Sequence, residues 1–155
     1  MIQLRDLALA DALAVVSDMR QMDAECIRAA CGQEPGEWFA VDRWRAHGAA
    51  WTLLQDGIPA AIGGLSMPQP WLGVLWLVAR PGMSPASWRK ALRTTRTVIA
   101  SAPRAGVHRV EAHVLSGWAE ASRFAEALGL TLEGVRAHAG SRGESIEVWA
   151  SAGGA

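Results

Sequence analysis

Residues 107–134, VHRVEAHVLSGWAEASRFAEALGLTLEG, carry the clearest indication of the fold in this 155-residue chain. Apolar residues at positions 107, 110, 112 and 114 form a short run with partial alternation, which predicts a buried strand. Apolar residues at helical spacing follow, and they stop at Gly129, where a helix is expected to end. Leu130, Leu132 and the pair Glu133-Gly134 then open another strand. The stretch therefore predicts an uninterrupted strand–helix–strand unit.

The remaining sequence predicts further strands and helices around this unit. Strands are expected at residues 2–5, 50–54, 58–65, 73–79, 135–139 and 145–150, and helices at 9–20, 22–31 and 86–101, with a short helix or irregular crossing at 38–47. Residues 55–57, Gln-Asp-Gly, predict a tight hairpin turn, and residues 67–72, which include two prolines, predict a loop. The strand at 73–79 is the most apolar and is expected at the centre of the sheet.

Capping residues support two of these helices. Ser84 and Pro85 are the N-cap and first-turn residues expected at the start of the helix at 86–101. Asp23 is predicted to cap the helix at 22–31.

The composition indicates one domain at residues 1–150, followed by a tail at 151–155 that is expected to fray. Basic and acidic residues number 15 each, which makes a dedicated nucleic-acid binder the least favoured class. No segment has the roughly 18 consecutive apolar residues of a membrane span, and early aspartates argue against a secretory signal, so a cytoplasmic location is expected. Neither the two cysteines nor the four histidines show the spacing of a disulfide framework or a metal site.

The order of the elements resembles that of the GCN5-related N-acetyltransferases, the GNAT family. In that family a helix ending in Leu-Gly precedes a strand that carries Glu-Gly, and Leu128-Gly129 and Glu133-Gly134 stand in this order here. The resemblance implies an α/β fold of the α+β type, with a central mixed sheet of about six to seven strands and helices on both faces. It also implies acetyl-CoA as the cofactor if the protein is active.

The turn after the central strand matches the family's phosphate-binding motif only in part. Active members carry Arg/Gln-x-x-Gly-x-Gly/Ala there, whereas residues 78–88 read VARPGMSPASW, with Arg80 and Gly82 as partial matches. Pro85 also removes one backbone amide that would otherwise face an anion. If a cofactor binds, the resemblance implies that it contacts Leu77, Val78, Arg80, Ser84, Ala86 and Ser87.

The family's catalytic residues are not found at the matching positions. The tyrosine that protonates the leaving thiolate in many members aligns with Ala125, and the chain contains no tyrosine. The asparagine near the start of the same helix aligns with Trp118. Glu111 and Glu25 are the candidates for a general base, and Glu111 is interpreted as a solvated strand residue. No catalytic residue is therefore assigned.

Two surface features offer alternative roles. Arg89, Arg93 and Arg96 form one stripe of the helix at 86–101, which is interpreted as a solvated face, although it could also meet a phosphate or an acidic partner. Among the eight tryptophans, Trp51 and Trp76 are expected in the core. The tryptophans at positions 38, 44 and 71 are harder to bury and could anchor a protein interface.

A closer resemblance is to GNAT-like internal virion proteins of short-tailed phages. It lies in four segments: residues 19–27 (MRQMDAECI), 56–64 (DGIPAAIGG), 73–78 (GVLWLV) and 93–96 (RTTR). It implies a virion or host-cytoplasm protein whose partners are other phage virion or assembly proteins, with a possible homo-oligomer and no membrane association. The main hypothesis is therefore a catalytically degenerate scaffold with no cofactor. The alternatives are an acetyl-CoA-dependent N-acetyltransferase with divergent motifs and, third, a nucleic-acid-associated module.

Overall fold

The computed structural model describes residues 1–46 and 48–151 and consists of one seven-stranded sheet with helices on both faces. The strands are β1 (Ile2–Asp6), β2 (Ala50–Gln55), β3 (Ile58–Gln69), β4 (Leu72–Ala79), β5 (Arg109–Leu115), β6 (Thr131–Arg136) and β7 (Ile146–Ala150). The helices are α1 (Leu9–Ser17), α2 (Gln21–Cys31), α3 (Glu37–Arg45), α4 (Pro85–Ser101) and α5 (Ala119–Ala127), and a 3₁₀ turn at Ala102–Ala105 follows α4. The predicted mixed fold is confirmed.

The sheet consists of two antiparallel parts joined by one parallel pair. The strand order is β1-β2-β3-β4-β5-β7-β6, and only β4 and β5 run parallel to each other. α4 forms the crossover between them, because parallel neighbours cannot be joined by a tight turn. β4 is the fourth of the seven strands, which confirms the central position that its apolar run predicts.

The two faces of the sheet bury different helices. On the first face, α1, α2 and α3 enclose Ile62 and Val78 together with buried residues of their own. On the second face, α4 packs over Leu53, Ala61 and Ala79, and α5 packs over Val114 and Trp149. Successive strand residues point to opposite faces, so Val78 packs under the helices of the first face and its neighbour Ala79 under α4 on the second face.

Two turn and capping predictions are confirmed by the backbone. Asp56 and Gly57 both have positive φ, 53° and 80°, which is the combination that a two-residue hairpin loop requires. Ser84 caps α4, and its side chain accepts a hydrogen bond from the amide of Ser87.

A buried carboxylate fixes α1 to the edge of the sheet. Asp11 accepts hydrogen bonds from Arg5 at 2.6 and 3.0 Å and from the hydroxyl of Thr52 at 2.9 Å. The hydrogen bonds from Arg5 lower the pKa of Asp11, although burial opposes them. Asp11 thus connects α1 to both β1 and β2.

Several expected boundaries are wrong. β3 continues to Gln69, so residues 67–69 are strand rather than loop, and Pro68 is accommodated where the register shifts between Ser66 and Gln69. α1 ends at Ser17 instead of residue 20. The segments expected as strands at 130–134 and 135–139 form the single strand β6.

The predicted role of Asp23 is also wrong. Arg20 occupies the N-cap position of α2 and makes no side-chain cap, whereas Asp23 lies inside the first turn. Its carboxylate bonds to Arg20 and to the amide of Ala79. A tertiary contact with β4 has therefore replaced the local capping contact.

The ends of two expected segments fall outside the described residues. The predicted tail at 151–155 is described only at Ser151, which exchanges hydrogen bonds with the backbone of Val110. His47, the expected end of the crossing at 38–47, is not described. Within the described part of the chain, the helices are too short or too polar to cross a bilayer.

Candidate functional site

The central feature of the sheet is a gap between β4 and β5. Their residues pair from Leu72 with Arg109 to Leu75 with Ala112, and the pairing ends there. β4 nevertheless continues to Ala79 and β5 to Leu115. The two strands therefore separate beyond Leu75, and the carboxyl-terminal half of each has an unpaired edge facing the other.

The backbone of Leu77 faces this gap. The amide of Arg80 donates to the carbonyl oxygen of Ala60 on the β3 side, so alternate residues such as Val78 also direct their backbone groups to β3. Leu77 and Ala79 point the other way. Ala79 is satisfied by Asp23 and Arg20, but the pairing between β4 and β5 ends before it reaches Leu77. The Leu77 N–H and C=O are therefore free to bind an extended amide chain.

Arg20 bridges the far end of the gap. Its guanidinium lies 4.7 Å from the ring centre of Trp88 on α4 and 5.2 Å from that of Trp118 at the start of α5. Its backbone N–H donates to the carbonyl oxygen of Ala79, and its side chain forms an ion pair with Asp23. Burial raises the pKa of Asp23, and the contacts with Arg20 and Ala79 offset this only in part. Arg20 thus connects the ends of both separated strands.

The N-terminus of α4 follows directly on β4 and presents backbone amides near the gap. Gln55 occupies part of this surface: its side-chain oxygen accepts from the Ser84 amide at 2.9 Å and from the Ser87 hydroxyl at 2.6 Å. The Ser87 amide donates to the Ser84 hydroxyl. Among the described residues, the amides of Gly82, Met83 and Ala86 have no such partner. Three donors therefore remain for an anion.

The six predicted cofactor-contacting residues are not equivalent in the structure. Leu77 faces the gap and Ala86 offers a free amide. Val78 is buried beneath α1–α3. Arg80 contacts Asp18 and the carbonyl oxygen of Pro59. The Ser84 amide and the Ser87 hydroxyl donate hydrogen bonds to Gln55. Four of the six residues, Val78, Arg80, Ser84 and Ser87, are therefore engaged within the chain.

A charged cluster centred on β5 lies beside the gap on the first face of the sheet. It consists of Arg109, Glu111 and His113 of β5 and Glu133 of β6, and we call these four residues the β5 cluster. Glu111 accepts from Arg109 Nε at 2.6 Å and lies 2.9 Å from His113 Nε2. Arg109 also forms an ion pair with Glu133. Three cluster members alternate along β5, so their side chains share one face of the strand.

The environment of Glu111 differs from the expectation. Glu111 is 8% exposed, so its interpretation as a solvated strand residue is wrong. Burial alone would raise its pKa, but the hydrogen bonds from Arg109 and His113 outweigh burial, and the pKa of Glu111 lies below its ordinary value. Glu111 is therefore a fixed negative charge that orients the imidazole.

His113 is the functional candidate that the sequence interpretation missed. Its ring is exposed to solvent, and with a proton on Nε2 it donates to Glu111 and leaves Nδ1 as a free acceptor. A carboxylate-oriented imidazole of this kind can accept a proton from a nucleophile. The spacing Arg109-x-Glu111-x-His113 on a predicted strand is the signal that could have identified it.

The other predicted features have simpler outcomes. Glu25 accepts a hydrogen bond from Gln21 at the surface of α2 and makes no hydrogen bond to Arg109, Glu111 or His113 among the described residues. Both cysteines are free, and burial raises the pKa of the Cys26 thiol to about 11, which makes it a poor nucleophile at neutral pH. Within residues 1–46 and 48–151, no cluster of potential metal ligands is found.

The surface features agree with the expected exposure. The stripe of Arg89, Arg93 and Arg96 faces solvent, and Arg96 donates to the carbonyl oxygen of Ala127. Trp51 is buried and Trp76 is half-buried, whereas the tryptophans at 38, 44 and 71 are exposed.

Comparison with known proteins links this architecture to a group of enzymes. The model superposes on an N-acetyltransferase of Staphylococcus aureus Mu50 with a TM-score of 0.76 and 9% identity, covering 97% of this chain and 98% of that one. For yncA of Salmonella typhimurium, an acetyltransferase solved with its cofactor acetyl-CoA, the TM-score is 0.73 and the identity 14%, over 97% and 92% of the two chains. A GNAT-family acetyltransferase of Streptococcus pneumoniae gives 0.69 and 14%, over 97% and 98%.

The sequence comparisons add no family or relative. No family model matches the sequence, and no curated protein matches it. The three structures named above are acetyltransferases, so they lend no support to the expected phage virion role. Their shared topology, together with the parted β4 and β5, establishes that this chain has the fold of the GNAT acetyltransferases.

Proposed function

We propose that this protein is an acyl-CoA-dependent N-acyltransferase. The observation that carries the proposal is the gap between β4 and β5, where the backbone of Leu77 is unpaired and His113 stands on the neighbouring strand. In the gap, the acyl-CoA would pair with the extended backbone of β4. The β5 cluster would supply a base for the amine substrate on the first face of the sheet.

The residues around the gap fit acetyl-CoA in two respects. The Leu77 N–H and C=O match the amide groups of a pantetheine arm, and the free amides of Gly82, Met83 and Ala86 suit a phosphate group. When bound, acetyl-CoA would supply an acyl thioester. Since Gln55 already occupies one end of the α4 N-terminus, we expect weaker phosphate binding than three free amides plus Ser84 would give.

The β5 cluster supports proton removal from an amine. With an acyl thioester bound, His113 Nδ1 would accept the proton that the amine nitrogen loses on bonding to the acyl carbon, and the thiolate would be the leaving group. Glu111 stabilises the imidazolium that results. The chain contains no tyrosine to protonate the leaving thiolate, so solvent would supply this proton.

Thermal unfolding with and without acetyl-CoA tests the cofactor part of the proposal. A ligand at 100 times its Kd stabilises the folded state by about 2.7 kcal/mol. For a domain of this size we expect the midpoint to rise by about 5–10 °C. An unchanged midpoint at millimolar acetyl-CoA, together with no thioester cleavage in the presence of amines, would refute the proposal.

Variants of the β5 cluster test the catalytic part. His113→Ala should lower kcat/KM of acyl transfer by roughly 10²–10⁴, the usual contribution of a general base, while the acetyl-CoA-induced shift in midpoint remains. His108→Ala is the matched control, since His108 is exposed just before β5 and takes no part in the cluster. Equal losses in both variants would contradict the role of His113.

A second function, a scaffold without catalysis, is favoured by a different observation. Arg20, Trp88 and Trp118 fill the far end of the gap, and Gln55 covers part of the α4 N-terminus. In this case the exposed tryptophans at 38, 44 and 71 would contact partner proteins, including the virion proteins expected above. The acetyl-CoA measurement separates the two functions, because a scaffold predicts no shift.

A further inference from the structure

Arg43 on α3 is a partly enclosed cation that the protein itself does not neutralise. Its guanidinium lies 4.8 Å from the ring centre of Phe39 and 5.4 Å from that of Trp76. Nη1 donates to the hydroxyl of Ser66 at 2.7 Å, while Nε is fully buried without a hydrogen-bond partner. Within the described residues, no carboxylate lies at ion-pair distance from Arg43.

This arrangement is costly unless an anion completes it. Removing a charged group from water is unfavourable, and proteins normally repay the cost with an opposite charge and full hydrogen bonding. Burial accordingly lowers the pKa of Arg43, and the nearby charge of Asp42 opposes this only in part. Nη2 has no partner in the described part of the chain and is not among the enclosed atoms. One edge of the guanidinium is therefore available to an incoming group.

The sheet places Arg43 opposite the β5 cluster. Ser66, its hydrogen-bond partner, pairs with Val74 on β4, and Val74 pairs with Glu111 on β5. Directly paired residues have side chains on the same face, so Ser66 and Glu111 mark the two ends of one row. The row spans two strand spacings, roughly 10 Å. Trp76, the next residue of β4 on this face, borders the gap beside His113.

We propose that Arg43 binds the carboxylate of the acyl acceptor, and that the acceptor is an α-amino acid whose amine reaches the β5 cluster. The proposal rests on the acyltransfer function proposed above and names its substrate class. An α-amino acid separates nitrogen and carboxylate oxygen by roughly 3 Å, and a hydrogen bond of about 2.9 Å at each end extends this to roughly 9 Å. That length is of the same order as the backbone row from Ser66, the partner of Arg43, to Glu111, beside which His113 lies.

The same geometry selects against other amines. A lysine side chain within a protein, or a polyamine, offers no carboxylate to Arg43 and would leave its charge unpaired. The half-buried ring of Trp76 provides an apolar surface for the substrate side chain. Amino acids with apolar side chains should therefore be the best acceptors.

Isothermal calorimetry without acyl-CoA tests the carboxylate contact directly. The probes are leucine, phenylalanine and methionine, each compared with its own amide, which keeps the amine and the side chain but removes the negative charge. A hydrogen bond to a charged group corresponds to a difference of about 10- to 150-fold in affinity. We expect the wild type to show this preference for the free acid.

Three variants identify the residue responsible. Arg43→Met should abolish the preference, and Arg43→Lys should keep part of it, because an ammonium retains the charge but not the planar pair of donors. Arg45→Met is the matched control, since Arg45 lies two residues further along α3 and is exposed. If Arg43→Met fails to fold, Arg43→Lys and Ser66→Ala provide the comparison, each with an expected partial loss.

Several outcomes would overturn the assignment. They are equal binding of acids and amides by the wild type, an unchanged preference in Arg43→Met, and no binding of any of the three amino acids at millimolar concentration. Because calorimetry uses no acyl-CoA, an inactive protein that prefers the acids would refute the acyltransfer function but not the carboxylate contact. An active protein that acylates acids and amides equally would refute only the contact.

Discussion

Replacement of Asp23 tests how much the junction between α2 and β4 contributes to stability. Asp23 is 3% exposed and accepts three hydrogen bonds, two from Arg20 at 2.8 and 3.1 Å and one from the Ala79 amide at 3.1 Å. Asp23→Ala leaves the guanidinium without its carboxylate and the buried Ala79 amide without an acceptor. Breaking a buried ion pair costs about 3–5 kcal/mol, and an unsatisfied buried amide about 1–3 kcal/mol.

The expected total is smaller than the sum of these figures. The Arg20 side chain is 23% exposed and keeps its contacts with Trp88 and Trp118, so part of its charge remains solvated. We therefore expect Asp23→Ala to lower the free energy of unfolding by about 3 kcal/mol, or about 6–12 °C in midpoint. Asp23→Asn should cost less, because the amide oxygen can still accept from Ala79.

Urea unfolding at pH 7 measures both variants against the wild type. The raised pKa of Asp23 means that burial disfavours its charged form, which is why the neutral asparagine should be tolerated. Stability should consequently fall as pH rises through the interval between the unfolded pKa, about 3.9, and the raised folded value. A loss below about 1 kcal/mol in Asp23→Ala, which is the range of exposed pairs, would refute the reasoning. An Asp23→Asn variant as unstable as Asp23→Ala would do so as well.

Three further predictions concern the α4 N-terminus, acid stability and strand contacts. Gln55→Ala removes the acceptor of the Ser84 amide, so it should lower stability by about 1–2 kcal/mol yet increase the acetyl-CoA-induced shift in midpoint; an unchanged shift would show that this amide does not meet the cofactor. Asp11 has a lowered pKa, so its contribution with Arg5 is present above about pH 3.9 and is lost on acidification; Asp11→Asn should flatten the stability profile below pH 5, and an unchanged slope would contradict this. Gly64→Ala would press a Cβ against the backbone carbonyl oxygen of Ala49, and we expect a loss of about 1–3 kcal/mol in urea unfolding, which a wild-type midpoint would disprove.

The elements that the sequence predicts well are those with local causes. The apolar run at 73–79 predicts that this strand lies at the centre of the sheet, because a strand covered on both faces carries few polar residues. Asp56-Gly57 and Ser84-Pro85 carry turn and capping preferences that do not depend on distant residues. The fold implied by the resemblance to the GNAT family is accordingly confirmed.

The errors occur where a distant residue decides the outcome. α1 ends early, and the chain then brings Arg20 to the backbone of Ala79, which lies 59 positions later in the sequence. Pro68 is tolerated in β3 because the register shifts there, a property of the pair of strands rather than of the proline. A local sequence pattern predicts neither the contact between Arg20 and Ala79 nor the register shift beside Pro68.

The candidate site was the least predictable part. The sequence pattern favours a solvated Glu111, because a carboxylate on a strand usually faces water. In the structure its burial is compensated by Arg109 and His113 on the same face. Arg43 gives no signal in the helical pattern, since its neighbours Phe39, Ser66 and Trp76 come from three separate elements. Charged residues at positions i and i+2 of a predicted strand share one face, so they should be interpreted as one cluster and not one by one.

The single parallel seam between β4 and β5 also bears on how the chain acquires its structure during synthesis. Strands β1 to β4 form an antiparallel sheet within the first 79 residues, and β2 to β4 are joined by short turns. They can pair before β5 leaves the ribosome, which adds residues from the amino terminus onward. The seam forms after this antiparallel part, across only four residue pairs, once the 29-residue connection from 80 to 108 has closed. Until that moment the edge of β4 is an open template, so pairing with another nascent chain competes with native completion.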